Sequence, residues 1–132
     1  FDLFASGRDL LQRGECAAVR PVVDKIVSLM TVPLVQGSLR YAYKIGEVVS
    51  DRSQKNAAEG ATFTAAVLPL VSFCDPKAAS TISVQQKFGL FDMGTYPDFA
   101  TVKDAFESVY PCLGITCAHV GGLKDTDGSL LA

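Results

Sequence analysis

Four side chains in the first half of the chain carry atoms suited to holding a hard cation or an anion: Arg40, Tyr43, Glu47 and Glu59. Carboxylates and a phenolate suit ferric iron and other hard ions, which prefer oxygen ligands. A guanidinium holds an anion through paired hydrogen bonds. Gln36, Arg40, Tyr43, Glu47 and Asp51 recur three and four apart, so on a helix they share one polar side. Glu59 is the lone charge between Lys55 and Asp75 and heads an apolar stripe through Phe63, Ala66, Leu70 and Phe73. A carboxylate so placed is costly unless it is paired, hydrogen-bonded or bound to a metal. A helical hairpin turning at residues 51–53 would set Glu47 and Glu59 at similar heights on either side of the turn. The plainer alternatives are an exposed Glu favoured near a helix start by the dipole, and a solvated polar face with Tyr43 packing at its edge. Tyr41 falls on an apolar stripe and reads as core.

Other chemistry is sparse. The chain has no glycine-rich phosphate loop, no dinucleotide fingerprint and no GxSxG elbow, and an HExxH zinc motif is impossible with a single His. That residue, His119, lies in a Gly-rich stretch and reads as a surface side chain rather than a catalyst. An enzyme is therefore not expected. Twelve basic and 14 acidic residues leave a net charge of −2. Such a balance provides no strongly basic face for nucleic acid and no polybasic stretch for an anionic membrane.

The elements that must position these residues read as helices throughout. The 132 residues, 48% of them apolar, suffice for one domain. Ser6 to Gln12 suggests a short first helix. Pro21 opens a second, which Pro33 ends or kinks. A longer helix follows to about Asp51, with two adjacent apolar stripes: Leu34, Tyr41, Ile45, Val48 and Val35, Leu39, Ala42, Val49. Ser53 caps an Ala-rich helix to about Phe73, Asp75-Pro76 starts another, and Pro97-Asp98 starts the last, which Pro111 stops. The near-uncharged run Ala57–Phe73 has 17 residues, short of the roughly 20 of a membrane span, and reads as a buried core helix. The fold expected is all-α: an irregular bundle of five to six helices with a central antiparallel pair, stapled by two disulfides. Residues 1–123 form the domain, and 124–132 read as a polar tail linking to further sequence. The start at Phe1 rather than Met suggests a processed product or an excerpt of a longer protein.

Cys16, Cys74, Cys112 and Cys117 allow three pairings. The spacing favours Cys16–Cys74 and a local Cys112–Cys117 loop around Gly114, and suits zinc poorly, since neither half has a CxxC. Paired cysteines in a small domain point to an oxidising compartment: extracellular, periplasmic or cell-surface. The alternative is four reduced, buried thiols.

The runs Gly37–Lys44 (GSLRYAYK), Ala58–Pro69 (AEGATFTAAVLP) and Cys74-Asp75, with the closing segment Tyr110–Gly122 (YPCLGITCAHVGG), resemble the low-iron-inducible periplasmic proteins of algae. That group includes iron-assimilation and high-CO2-inducible secreted proteins and the related phytotransferrins. The resemblance spans nearly the whole chain. Its most specific pieces are Glu-Gly-x-x-Phe at 59–63 and Cys-Leu-Gly-Ile-Thr-Cys at 112–117. It implies a secreted or surface-displayed helical domain, sometimes present in several copies per protein, that captures ferric iron with carbonate as synergistic anion. Carried onto this chain, it makes Tyr43, Glu47 and Glu59 iron-side candidates and Arg40 an anion-side candidate. Other copies of the domain or cell-surface proteins are the expected partners. The competing expectation is a secreted structural or interaction module in which the bundle is only a scaffold.

Overall fold

The computed structural model describes residues 1–124 and 128–129. Six α-helices follow in order: α1 (Asp2–Gln12), α2 (Cys16–Gly46), α3 (Gln54–Cys74), α4 (Pro76–Gln86), α5 (Phe99–Leu113) and α6 (Cys117–Val120). Two 3-10 turns, Val49–Asp51 and Phe91–Met93, lie in the connections, and no strand occurs among the described residues. The expected tail at 124–132 lies outside the described residues except for Lys124, Gly128 and Ser129.

The helix starts follow from their caps. Ser53 accepts from the Asn56 amide, Asp75 from Lys77 and Asp98 from Thr101, each satisfying an amide that has no partner within its helix. The ends depart from expectation because proline does not act as a stop here. α2 runs unbroken for 31 residues through Pro21 and Pro33, α3 passes Pro69, and α5 passes Pro111. All four prolines are exposed, so the carbonyls left without an amide lie on the wet side of their helices. The roughly 3 kcal/mol that an interior proline costs is met by packing on the opposite face. α5 ends instead at Gly114, in the left-handed region at φ 68°. α2 stops at Gly46 rather than Asp51, because the Arg52 guanidinium turns back to donate to the Ile45 and Gly46 carbonyls at 2.9 and 2.8 Å.

The core lies where α2, α3, α4 and α5 meet. Val35, Leu39 and Ala42 of α2 join Val67 and Val71 of α3, Ile82 of α4, and Val102, Phe106 and Val109 of α5. α3 is long and apolar enough to cross a membrane by length and composition alone. In this fold it packs on α2, α4 and α5 with Gly60, Ala61, Thr64, Val67 and Val71 buried. α2 and α3 form the expected antiparallel pair. Ser38 Oγ bonds Thr64 Oγ1 at 2.7 Å, and the buried Gln86 of α4 donates to Ser38 at 3.0 Å.

One disulfide is present, not two, and it joins Cys74 to Cys112; Cys16 and Cys117 are free and exposed. The expected pairs Cys16–Cys74 and Cys112–Cys117 fail on geometry. The Ser38–Thr64 register sets Cys74 level with about residue 28 of α2, some 18 Å along the axis from Cys16 at 1.5 Å per residue. Because α5 continues past Pro111, Cys112 is helical and meets the end of α3, while Cys117 opens a separate helix after the Gly114 turn. The 38-residue span closed by the bridge corresponds to about 4 kcal/mol of chain-entropy stabilisation. Denaturant unfolding of a Cys74→Ser/Cys112→Ser double variant should show a loss near that size. Cys16→Ser and Cys117→Ser should leave the midpoint unchanged.

Candidate functional site

Where α2 crosses α3, two glycines let the helices interlock. A Cβ on Gly37 would lie 2.4 Å from the Phe63 ring, and one on Gly60 would lie 2.7 Å from Cβ of Tyr41. Each aromatic side chain therefore seats on a bare stretch of the facing helix. The Tyr41 and Phe63 rings stack with centroids 6.0 Å apart and planes 18° apart. Glu59 sits one turn before Phe63 on the same face of α3, so its carboxylate reaches the tip of Tyr41. Hydrogen bonding with the Glu59 carboxylate, then partial burial and the Glu59 charge, raise the Tyr41 pKa above its ordinary value, while the Arg40 guanidinium pulls it down.

The other sequence-predicted residues are distributed around this crossing. With Gly60 opposite Tyr41, Glu59 lies level with Ala42 and Tyr43 and more than a turn short of Glu47. Glu47 is the exposed C-cap of α2. The offset arises because the connection is not a tight turn at 51–53: residues 47–53 contain a 3-10 turn braced by the Lys44–Asp51 ion pair at 3.0 Å and by Asn56 donating to the Asp51 carbonyl. Tyr43 leaves α2 on the other side and packs edge-on against Phe99 of α5 at 5.3 Å. Arg40 is exposed and lines a groove bounded by Gln36, Val120 and Lys124. The structure thus brings Glu59 together with Tyr41, not with Tyr43 or Glu47. His119 folds back locally: its Nδ1 accepts from the Thr116 amide in a capping box. Among the described residues no three His, Cys, Asp or Glu side chains are grouped closely enough to hold a metal ion.

Tyr41 is the residue that apolar periodicity misassigned to the core. The usable signal was Gly60. A glycine inside a helix costs about 1 kcal/mol relative to Ala, so its presence marks a close approach by a neighbouring element, and its neighbour Glu59 borders that contact. Comparison with protein-family models, with characterised proteins and with solved structures gives no match.

The arrangement is a phenol beside a carboxylate on a helix crossing, both partly exposed to solvent. Spectrophotometric titration of the tyrosines should find Tyr41 ionising above the ordinary value near 10. Glu59→Gln, which removes both the acceptor charge and the Coulomb repulsion, should bring it down; an unchanged curve would show that Glu59 does not hold the phenol.

Proposed function

We propose that this chain is a domain of a secreted or cell-surface iron-assimilation protein that takes up ferric iron through oxygen ligands, with carbonate as synergistic anion. The observation that carries this reading is the Tyr41–Glu59 pair, built from two of the segments that carry the family resemblance, Gly37–Lys44 and Ala58–Pro69. A hard trivalent cation can replace the phenol proton of Tyr41, giving a phenolate ligand beside the Glu59 carboxylate. Carbonate and water then take the remaining positions. Arg40, next along α2, lowers the cost of ionising the phenol through its charge alone. The Cys74–Cys112 bridge supports an oxidising location.

Because uptake displaces the Tyr41 proton, it should weaken as pH falls. Adding ferric iron and bicarbonate to the full chain should produce a phenolate-to-metal charge-transfer band in the visible. Tyr41→Phe should abolish the band and Tyr43→Phe should keep it. No band with the intact chain would sink the tyrosinate site.

A second reading, an interaction module of an extracellular assembly, is favoured by one feature. α1 and the first half of α2 expose Phe4, Leu11, Val23, Val27 and Met30, the last at 64% of its full area. Isolated surface apolar residues are ordinary, but several on one arm mark a contact surface. Light scattering after size exclusion should detect self-association that Val27→Lys/Met30→Lys abolishes; a strict monomer at high concentration would count against this module.

A further inference from the structure

The groove beside Arg40 lies apart from the Tyr41–Glu59 crossing, on the side of α2 that faces the end of α6. Gln36 Nε2 donates to the Val120 carbonyl at 2.7 Å and ties the closing segment across α2. Beyond that tie the chain turns at Gly121, φ 72°, and runs through Gly122 and Leu123 to Lys124, enclosing a groove of about 340 Å³. Its charged side chains are Arg40 and Lys124, both exposed. Elsewhere Arg8, Arg13 and Arg20 are ion-paired, and Arg52 is bonded to two carbonyls and stacked 4.1 Å over Tyr96. Arg40 is the arginine with no hydrogen bond or ion pair among the described residues, and Lys124 likewise has no ion pair there. Among the described residues no acidic side chain lines the groove; Leu39, Val120 and Leu123 supply its apolar surface.

We infer that this groove binds a small organic polycarboxylate. Two unpartnered cations on one concavity match two carboxylates, one of them held bidentate by the guanidinium. The apolar lining suits a carbon skeleton between them. The volume sets the size class: at about 30 Å³ per water, the groove holds roughly ten such volumes, far more than a four- or five-atom inorganic anion fills, and it falls in the range of small-molecule sites. The inference does not rest on ferric binding at Tyr41.

Citrate is the probe. Titration calorimetry of the full chain should show saturable citrate binding, weakened roughly tenfold or more by Arg40→Gln, as expected for losing a charged hydrogen-bond pair. Lys124→Gln should weaken it as well. Acetate and inorganic phosphate should bind at least tenfold more weakly than citrate, and Tyr41→Phe should leave citrate affinity unchanged. Circular dichroism should confirm that Arg40→Gln stays folded, since Arg40 makes no contact that the fold uses. Absence of citrate binding, equal affinity in the Arg40 variant, or phosphate binding as tightly as citrate would overturn the inference. Loss of citrate binding in Tyr41→Phe would assign the ligand to the α2–α3 crossing instead.

Discussion

At the centre of the bundle three polar side chains from three helices form a single hydrogen-bonded chain, Gln86 to Ser38 to Thr64. Ser38 and Thr64 are almost wholly enclosed, with next to no access to water as an alternative partner, and Gln86 is buried beside them. Losing one partner of such a chain leaves a buried donor or acceptor unmet, at a cost of about 1–3 kcal/mol. Apolar contacts tolerate a slide of one helix along another; this chain does not. It sets the register of α2 against α3 and pins α4 to both.

The rest of the α2–α3 crossing follows from that register. With Ser38 opposite Thr64, Gly37 comes to lie under Phe63 and Gly60 under Tyr41. A shift of one residue would drive either ring into a facing side chain. The same register carries Glu59 to the Tyr41 hydroxyl and leaves Glu47 beyond the helix end. The polar pair at the edge of the crossing is thus a consequence of packing at its centre, and the two cannot be altered independently.

Much of this was legible in the residues, for local reasons. Ser53, Asp75 and Asp98 act within three residues of themselves, so their capping role could be read directly. The stripe through Val35, Leu39 and Ala42 located the core face of α2, but the stripe assigned to α3 did not: Ala66, Leu70 and Phe73 are exposed, and α3 buries Gly60, Ala61, Thr64, Val67 and Val71 instead, because its small residues face the crossing with α2. The errors came where a distant element decided the outcome. Proline has a strong local preference, yet Pro33, Pro69 and Pro111 sit inside helices because each lies on an outer face while the inner face is packed. Reading Pro111 as a stop detached Cys112 from α5, and the pairing of the cysteines was then misjudged. Reading Pro33 as a break hid the length of α2, which keeps Cys16 far from Cys74. Tyr41 looked like core by periodicity, but a tyrosine can bury its ring and keep its hydroxyl at the edge. Glu59 was marked as a carboxylate that is costly unless partnered; its neighbour Tyr41 lies on another helix, at a height that depends on the length of the 47–53 connection.

The Cys74–Cys112 bridge also has a mechanical meaning. It short-circuits the backbone between the end of α3 and the end of α5, so tension on the two ends of the chain passes through sulfur and bypasses α4, the following loop and nearly all of α5. The 38 residues of that span, roughly 130 Å of extended chain, cannot be paid out under load. Contacts of that segment with α3 still loosen when α3 unravels, but the segment itself, α5 included, stays a closed ring. A domain held between two anchors would therefore lengthen mainly through α1, α2 and α3, with the ring from Cys74 to Cys112 remaining as a compact knot.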